Sequence, residues 1–460
     1  MTDIITLLVD ALGSEQVSLG ADVADRSTSY WRPEPTSTLA LLRPRSTAEV
    51  SQILALCHAH NQPVVLQGGL TGCVDGAISA DHEIILSLER MNTIESIDPV
   101  SGTVTVEAGV ILEVLQTTLA EQGFMFPLDL GARGSCTIGG NIATNAGGIN
   151  VLRYGMMRDL VLGLEAVLAD GTILSSMNRM IKNNAGYDIK QLFIGSEGTM
   201  GVVTRAVVKT YPRSTSMNTA MIAVKDFNAV TELLQYLRSA LGGSLSAFEV
   251  MWGDYFTAVT EPGWHRAPMQ RDHAFYIMVE TEGSDSQTDT ERFNHALEQA
   301  FESSLIEDAV IPKSESERKS LWDIRENFEA ILEKKPYYLY DVSLPIQDMP
   351  EYVALVREAL MKQFSQASCY VLGHVADGNL HLFLCPGEPG KWHEDCDRIV
   401  YEPLKQFEGS ISAEHGIGTE KVPWLNISRS LAEIAVMRGL KATLDPSNIL
   451  NPGRVIPLQN

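Results

Sequence analysis

Residues 127–148, PLDLGARGSCTIGGNIATNAGG, decide how the chain is to be read. Gly, Ala, Ser, Thr and Asn crowd this stretch, which suits backbone-lined binding loops better than a core. Glycine lets main-chain N–H groups approach a polar ligand with no Cβ in the way. Two shorter clusters accompany it. QGGLTG (67–72) follows the apolar run PVVL, which reads as a strand, and GSEGTMG (195–201) leads into a valine-rich strand. Three such segments imply one large nucleotide rather than three unrelated turns. They do not make a Rossmann site, which needs GxGxxG opening a helix and an acidic residue about 20 positions later. The Walker lysine is absent from them too.

The bulk numbers set the outer limits. A chain of 460 residues exceeds one ordinary core, so two or three domains are expected. Hydrophobic content of 45% with 20% charged residues is that of a soluble globular enzyme. The net charge of −23 argues against a nucleic-acid partner, because no basic surface is there to neutralise phosphates. An anionic substrate would need a positive site built locally against that field. The N-terminus, MTDIITLLVDALG, lacks the basic and apolar regions of a signal peptide. No run approaches the roughly 18 apolar residues of a membrane span, so a cytoplasmic protein without a transmembrane segment is expected. Six cysteines (57, 73, 136, 369, 385 and 396) are scattered without a CxxC pair, as reduced thiols would be.

Around the glycine clusters, STAE (46–49) is a capping-box pattern that opens a helix ending near Asn61. Strands are expected at 83–88, 103–108, 160–168, 172–175 and 201–210. After Tyr211 and Pro212 the texture changes. Helices are expected at 225–242, 291–304, 315–334 and 350–365, with strands at 244–251, 275–280, 307–311, 368–375 and 380–385. That alternation describes an α+β domain with an antiparallel sheet. The chain from 422 reads as helical to Leu444 and then ends extended.

GHVADGNLH (373–381) places two of the ten histidines on either side of an Asp-Gly turn, a strong hairpin signal. His374 and His381 could then present their imidazoles on one side; a packed histidine pair is the alternative. SAEHGIG (412–418) offers a third ligand in Glu414, with His415 beside it. Two histidines and one glutamate with an open position suit Zn²⁺, and Mn²⁺ or Fe²⁺ also fit. Arg325, in SLWDIRE (320–326), is the candidate cation for a substrate carboxylate, although an arginine on an amphipathic helix is more often a surface residue.

LQGGLTG, PLDLGARGSCTIGGNIATNAGG, LRYG, GLEAVLADGT, NNAGYDIKQLFIGSEGTMGVV, GHVADGNLH, SAEHGIG and LDPSNILNPGR follow one another along most of the chain. Together they resemble the FAD-dependent D-2-hydroxy acid dehydrogenases, flavoproteins of the superfamily that includes vanillyl-alcohol oxidase. The D-2-hydroxyglutarate and flavin-type D-lactate dehydrogenases are the members most alike. The resemblance implies an α+β fold: a two-subdomain FAD-binding domain over 1–212, an α+β substrate domain with an antiparallel sheet over 213–420, and a C-terminal helical segment, 421–460, returning to the FAD domain.

By the same resemblance Gln67, Gly68, Gly69, Leu70, Thr71 and Gly72 would hold the diphosphate. Ser135, Thr137, Gly139, Gly140, Asn141, Ala143, Thr144 and Gly147 would line the adenosine and flavin sides. Glu197, Gly198, Gly201 and Val202 would contact the adenosine half, and Asn451 the isoalloxazine ring. Neither of the first two glycine segments carries the histidine used for covalent attachment, so the FAD is expected to be non-covalent. His374, His381 and Glu414 would be the metal ligands, His415 the general base and Arg325 the carboxylate clamp. The hydride of a D-2-hydroxy acid would pass to the flavin, and its electrons onward to an electron-transfer flavoprotein, a cytochrome or a quinone. An oxidase using O₂ is an alternative, and a flavin-free metal hydrolase or binding protein is one of another class. The resemblance leaves a homodimer open.

Two departures bear on the substrate. Leu339 stands where these enzymes usually have lysine, and Phe383 where they usually have asparagine. Phe383 lies one period-2 step from His381 and should share its face of the strand. Both changes put an apolar group where a distal carboxylate would need a partner, and burying a carboxylate unpaired is costly. A substrate with a small or apolar side chain is therefore expected. D-2-hydroxyglutarate itself is the alternative, with Lys334 and Lys335 near enough in sequence to compensate.

Overall fold

The computed structural model describes residues 3–29 and 34–457. The chain divides into two compact units. The first runs to Gly148, resumes at Gly155–Arg213 and ends with the segment from Glu414; the second comprises Ile149–Tyr154 and Ser214–Ala413.

The first unit holds two principal sheets. In one, strands Ala40–Leu42, Ile84–Ser87 and Val64–Gln67 run parallel, with Val17–Leu19 added antiparallel at the edge. Helix Thr47–Ala59 covers it, opened by the Ser46 side chain, which accepts from Glu49 N. Val50, Ile53, Leu54 and Cys57 pack from this helix against Leu42, Val64, Ile84 and Leu86. Leu8 and Leu12 join that core from helix Ile4–Leu12, which the sequence reading did not distinguish. The other sheet is antiparallel, ordered Ile94–Asp98, Thr103–Glu107, Val202–Lys209, Val161–Val167 and Ile173–Ser176.

Residues 127–148 are not loop throughout. Ile138–Thr144 forms two turns of helix, because the Thr137 side chain caps it by accepting from Gly140 N and Asn145 closes it in the left-handed region at φ 50°. Capping satisfies the orphan N–H groups that a glycine-rich start would otherwise leave.

The second unit is an antiparallel seven-stranded sheet, ordered Asp308–Val310, Ser216–Val224, Phe275–Gly283, Leu245–Trp252, Ser368–Gly373, Asn379–Cys385 and Tyr338–Ser343. On one face Met251, Tyr276, Met278, Leu372 and Phe383 form a core with Tyr255, Phe256, Leu321, Trp322 and Ile324 of the covering helices. Helix Ser286–Glu302 starts about five residues ahead of the position expected from its apolar pattern, since Asp285 accepts from Thr288 N and draws the polar stretch into the first turn. The helical run expected over 315–334 is broken into Glu315–Glu326 and Glu329–Leu332.

Candidate active site

Strands Ser368–Gly373 and Asn379–Cys385 pair antiparallel with Leu372 opposite His381. A single 3₁₀ turn, Val375–Asp377, and Gly378 at φ 92° join them. The two imidazoles flanking this turn meet edge to face, with ring centroids 5.5 Å apart. The hairpin therefore brings His374 and His381 together.

Each ring has a carboxylate behind it. Nδ1 of His374 meets Glu249 Oε1 at 2.6 Å, a contact in which the ring N–H donates to the carboxylate. Asp341 is the cross-strand partner of His381, and its Oδ1 lies 3.8 Å from His381 Nδ1. Asp341 is itself pinned, accepting from Asn379 Nδ2 at 2.8 Å and Ala413 N at 3.0 Å. An imidazole hydrogen-bonded to a carboxylate, as His374 is, has the common surroundings of a metal-ligating histidine. Burial alone would raise the Glu249 carboxyl, but the His374 and Arg325 charges prevail and hold it well below the usual carboxylate range. In the turn itself, burial pushes the Asp377 carboxyl up to about 6.

The chain reaches Glu414 directly from this sheet. Ser410 and Ser343 exchange both main-chain hydrogen bonds, at 2.7 and 3.0 Å, and the Ala413 N–H bond to Asp341 follows. Glu414 is the next residue, the first of the closing segment that belongs to the first unit. The expected ligands divide between the units: His374 and His381 stand together in the second, while Glu414 and His415 open the closing segment of the first. Two adjacent imidazoles with buried carboxylates beside them are donors that suit a divalent cation of the zinc type.

Arg325 belongs to the same constellation. Helix Glu315–Glu326 carries it to Glu249, whose Oε2 accepts from Arg325 Nε at 2.9 Å, and Arg325 Nη2 lies 3.4 Å from His374 Nε2. Arg318 and Trp322, on the same helix face, both donate to Glu280 of strand Phe275–Gly283. Two buried strand carboxylates thus fix the helix. Glu249 and Glu280 were not picked out from the sequence. The signal available was an acidic residue inside an otherwise apolar strand, SAFEVMW, where a buried charge demands partners.

Next to the imidazoles the same sheet face turns apolar. Leu339 and Phe383 are direct cross-strand partners, one period-2 step from the Asp341–His381 pair, and Tyr370 faces Phe383 from the other side. Phe383 is 1% exposed and packs against Phe328, centroids 5.1 Å apart. Lys334 Nζ sits 5.8 Å from the Tyr370 ring centre.

In the first unit the three glycine segments converge. A Cβ on Gly69 would collide with the Ser135 carbonyl oxygen, and one on Gly68 would come within 2.7 Å of Thr137 Oγ1, so only glycine allows the two loops to lie this close. Leu70 takes a left-handed conformation at φ 58°. Among the described residues, the N–H groups of Gly69, Leu70, Thr71 and Gly72 have no protein acceptor, which is the donor arrangement a diphosphate needs. The Gln67 side chain is spent on the fold, donating to Ala77 O and accepting from Arg26 Nε.

Gly139 packs on Ala108, Asn141 is buried with Nδ2 on Cys136 Sγ, and Thr144 Oγ1 returns to Gly140 O. Ala143 O accepts from Glu197 N, and Gly147 is buried. Gly198 packs against Leu66, Gly201 against Phe193, and Val202 lies in the core. Asn451 bridges strand and loop: its Oδ1 accepts from Leu66 N at 2.9 Å and its Nδ2 donates to Glu197 O at 2.6 Å. Ser135 is exposed at the mouth of this region.

Comparison with known proteins agrees with this geometry. Residues 38–176 match the FAD binding domain family, and residues 213–455 match the family described as FAD linked oxidases, C-terminal domain. The chain is 40% identical over 457 residues to the mitochondrial D-2-hydroxyglutarate dehydrogenase of Arabidopsis thaliana, covering 98% of this chain and 81% of that one. It is 43% identical over 423 residues to the mitochondrial D-2-hydroxyglutarate dehydrogenase of Bos taurus, covering 92% and 77%. Among solved structures, p-cresol methylhydroxylase superposes with a TM-score of 0.77 at 16% identity, covering 99% of this chain and 97% of that one. The fold is thus the α+β fold of vanillyl-alcohol oxidase-type flavoproteins. No helix among the described residues is long and apolar enough to cross a membrane. The flavin-free reading falls away, and the chain belongs to the FAD-linked oxidoreductases, in the family that holds the D-2-hydroxyglutarate dehydrogenases.

Proposed function

We propose that this protein oxidises a D-2-hydroxy acid to the 2-oxo acid with non-covalent FAD and a divalent cation, zinc fitting the donors best. The observation that carries the reading is the His374–His381 pair on its hairpin, with Glu249 against the first imidazole and Asp341 opposite the second, in a chain that has an FAD binding domain; Glu414 would complete the ligand set. The bound flavin supplies the hydride acceptor, and the cation supplies Lewis acidity and a template for the hydroxy acid. Arg325 orients the substrate carboxylate. His415 takes the hydroxyl proton as the C2–H bond gives up its hydride, a role typically worth about 10²–10⁴-fold. The two electrons then leave to a protein or quinone acceptor.

The apolar face of Leu339, Tyr370 and Phe383 supports a substrate with a small or apolar side chain. Lys334 beside Tyr370 favours a second reading, D-2-hydroxyglutarate itself, since its ammonium could meet a distal carboxylate. Six free thiols, five of them buried, suit a reducing compartment, in the cytosol or within an organelle.

A dye-coupled screen of D- and L-2-hydroxy acids, with and without chelator, tests the proposal. Turnover of D-isomers that chelation abolishes and metal restores supports it. Full activity after verified metal removal, or no turnover of any D-2-hydroxy acid, overturns it.

A further inference from the structure

Between Phe407 and Val422 the chain has neither helix nor strand, yet this stretch carries Glu414 and His415. A connection of that length without its own ladder needs other contacts to hold one conformation. The structure assigns this task to Glu197: we propose that its carboxylate is the positioning group for the turn bearing Glu414 and His415. The inference rests on the reading that those two residues serve the reaction.

Glu197 Oε1 accepts from Ile417 N at 2.7 Å, and Oε2 accepts from Gly418 N at 2.8 Å. Two consecutive main-chain N–H groups form a small anion-binding concavity, and here a side chain of the same chain fills it. The turn is shaped to receive that side chain. A Cβ on Gly416 would stand 2.7 Å from Glu197 Oε1, and one on Gly418, at φ 52°, would strike the Val74 carbonyl oxygen. Thr419 N donates to the same Val74 oxygen, and Gly418 O accepts from Val455 N.

Glu197 is in turn held rigidly by its own main chain. Its φ is 50°, its N–H donates to Ala143 O at 2.7 Å, and its carbonyl accepts from Asn451 Nδ2 at 2.6 Å. The residues that grip Glu197 are those of the cofactor-binding segments, helix Ile138–Thr144 and the chain end around Asn451. The Glu197 carboxylate therefore ties the catalytic turn to the flavin framework, alongside the main-chain bonds from Val74 and Val455. The sequence resemblance places Glu197 beside the adenosine half of FAD. In the structure its carboxylate oxygens are bonded to the turn.

The test compares hydrogen exchange in the holoenzyme across residues 414–418 for wild type, Glu197→Gln and Glu197→Asp, alongside bound FAD, kcat and KM. In Glu197→Gln an amide N–H₂ replaces one acceptor oxygen, so one turn N–H loses its partner. Exchange at Ile417 and Gly418 should quicken about tenfold or more, since a lost charge-assisted hydrogen bond is worth at least that factor. kcat should fall with it, while bound FAD stays stoichiometric and KM moves little. Glu197→Asp keeps the charge but is one methylene short, and should lie between. It supplies the same reading if the glutamine variant does not fold. Unchanged protection at 417 and 418 in either variant overturns the proposal. So does loss of FAD with that protection intact, which would mark a cofactor contact instead. Failure of the functional reading looks different: His415→Ala would retain turnover, while the exchange response to Glu197→Gln would persist.

Discussion

Glu249 Oε1 lies 2.6 Å from His374 Nδ1, and this one contact commits that edge of the imidazole to the carboxylate. The other oxygen of the same carboxylate holds Arg325, so a single buried group orients both the proposed metal ligand and the proposed substrate clamp. Removing a carboxylate behind a metal-ligating histidine commonly weakens metal binding by about 10–100-fold. Glu249→Gln should raise the Kd for Zn²⁺ by that factor in calorimetric titration of the metal-stripped protein. An unchanged Kd would mean that Glu249 serves the fold alone.

The Leu339–Phe383 pair gives a prediction about specificity. A lysine or an amide in this apolar face would supply the partner that a distal carboxylate lacks. Leu339→Lys and Phe383→Asn should each shift the ratio of kcat/KM for D-2-hydroxyglutarate over D-lactate upward by about tenfold, equivalent to about 1.4 kcal/mol. Ratios that stay level in both variants would place the selective contacts elsewhere.

Gly69 is where the first two glycine segments meet, with no room for a methyl group beneath the Ser135 carbonyl. Gly69→Ala should force the 67–72 and 135–140 segments apart and lower bound flavin well below stoichiometry. Flavin released on denaturation, per mole of protein, measures this. Full flavin content would show that the loops can separate without loss.

The buried thiols predict a pH dependence. Burial pushes Cys57 up to about 12, and Cys369 likewise, from an ordinary value of 9.0. The folded state therefore favours the neutral thiol. Its contribution is fully present below about pH 9, and is lost as pH rises towards 12 because only the unfolded chain ionises in that window. Tm should fall between pH 9 and 11, and a thiol reagent at pH 8 should spare both cysteines until the protein unfolds. Ready labelling of Cys57 in the native protein would contradict this.

How much was legible in the sequence depends on how local each feature is. His374 and His381 could be read because seven residues and one turn bring them together, and Glu414 because its motif stands out beside His415. Phe383 followed His381 by simple strand alternation. Glu249 could not be read: it reaches His374 only because strands Leu245–Trp252 and Ser368–Gly373 become neighbours across more than a hundred residues. Asp341 was passed over for the same reason, its role depending on the register that sets it opposite His381. The helix over Ile138–Thr144 was hidden by glycines whose cost is offset by the Thr137 cap. The clamp of Glu197 on Ile417 and Gly418 left no trace either, since a carboxylate meeting main-chain N–H groups selects no side-chain type in the turn.

The central claim is that His374, His381 and Glu414 hold a cation that serves flavin reduction by a D-2-hydroxy acid. Anaerobic stopped-flow mixing of the flavin-loaded protein with D- and L-2-hydroxy acids tests it most directly, following bleaching of the flavin band at about 450 nm. The account predicts rapid bleaching by a D-isomer, at least about 100-fold slower bleaching after metal removal, and recovery on adding Zn²⁺ or Mn²⁺. Equally fast bleaching by protein verified to be metal-free, or bleaching by L-isomers alone, would contradict it.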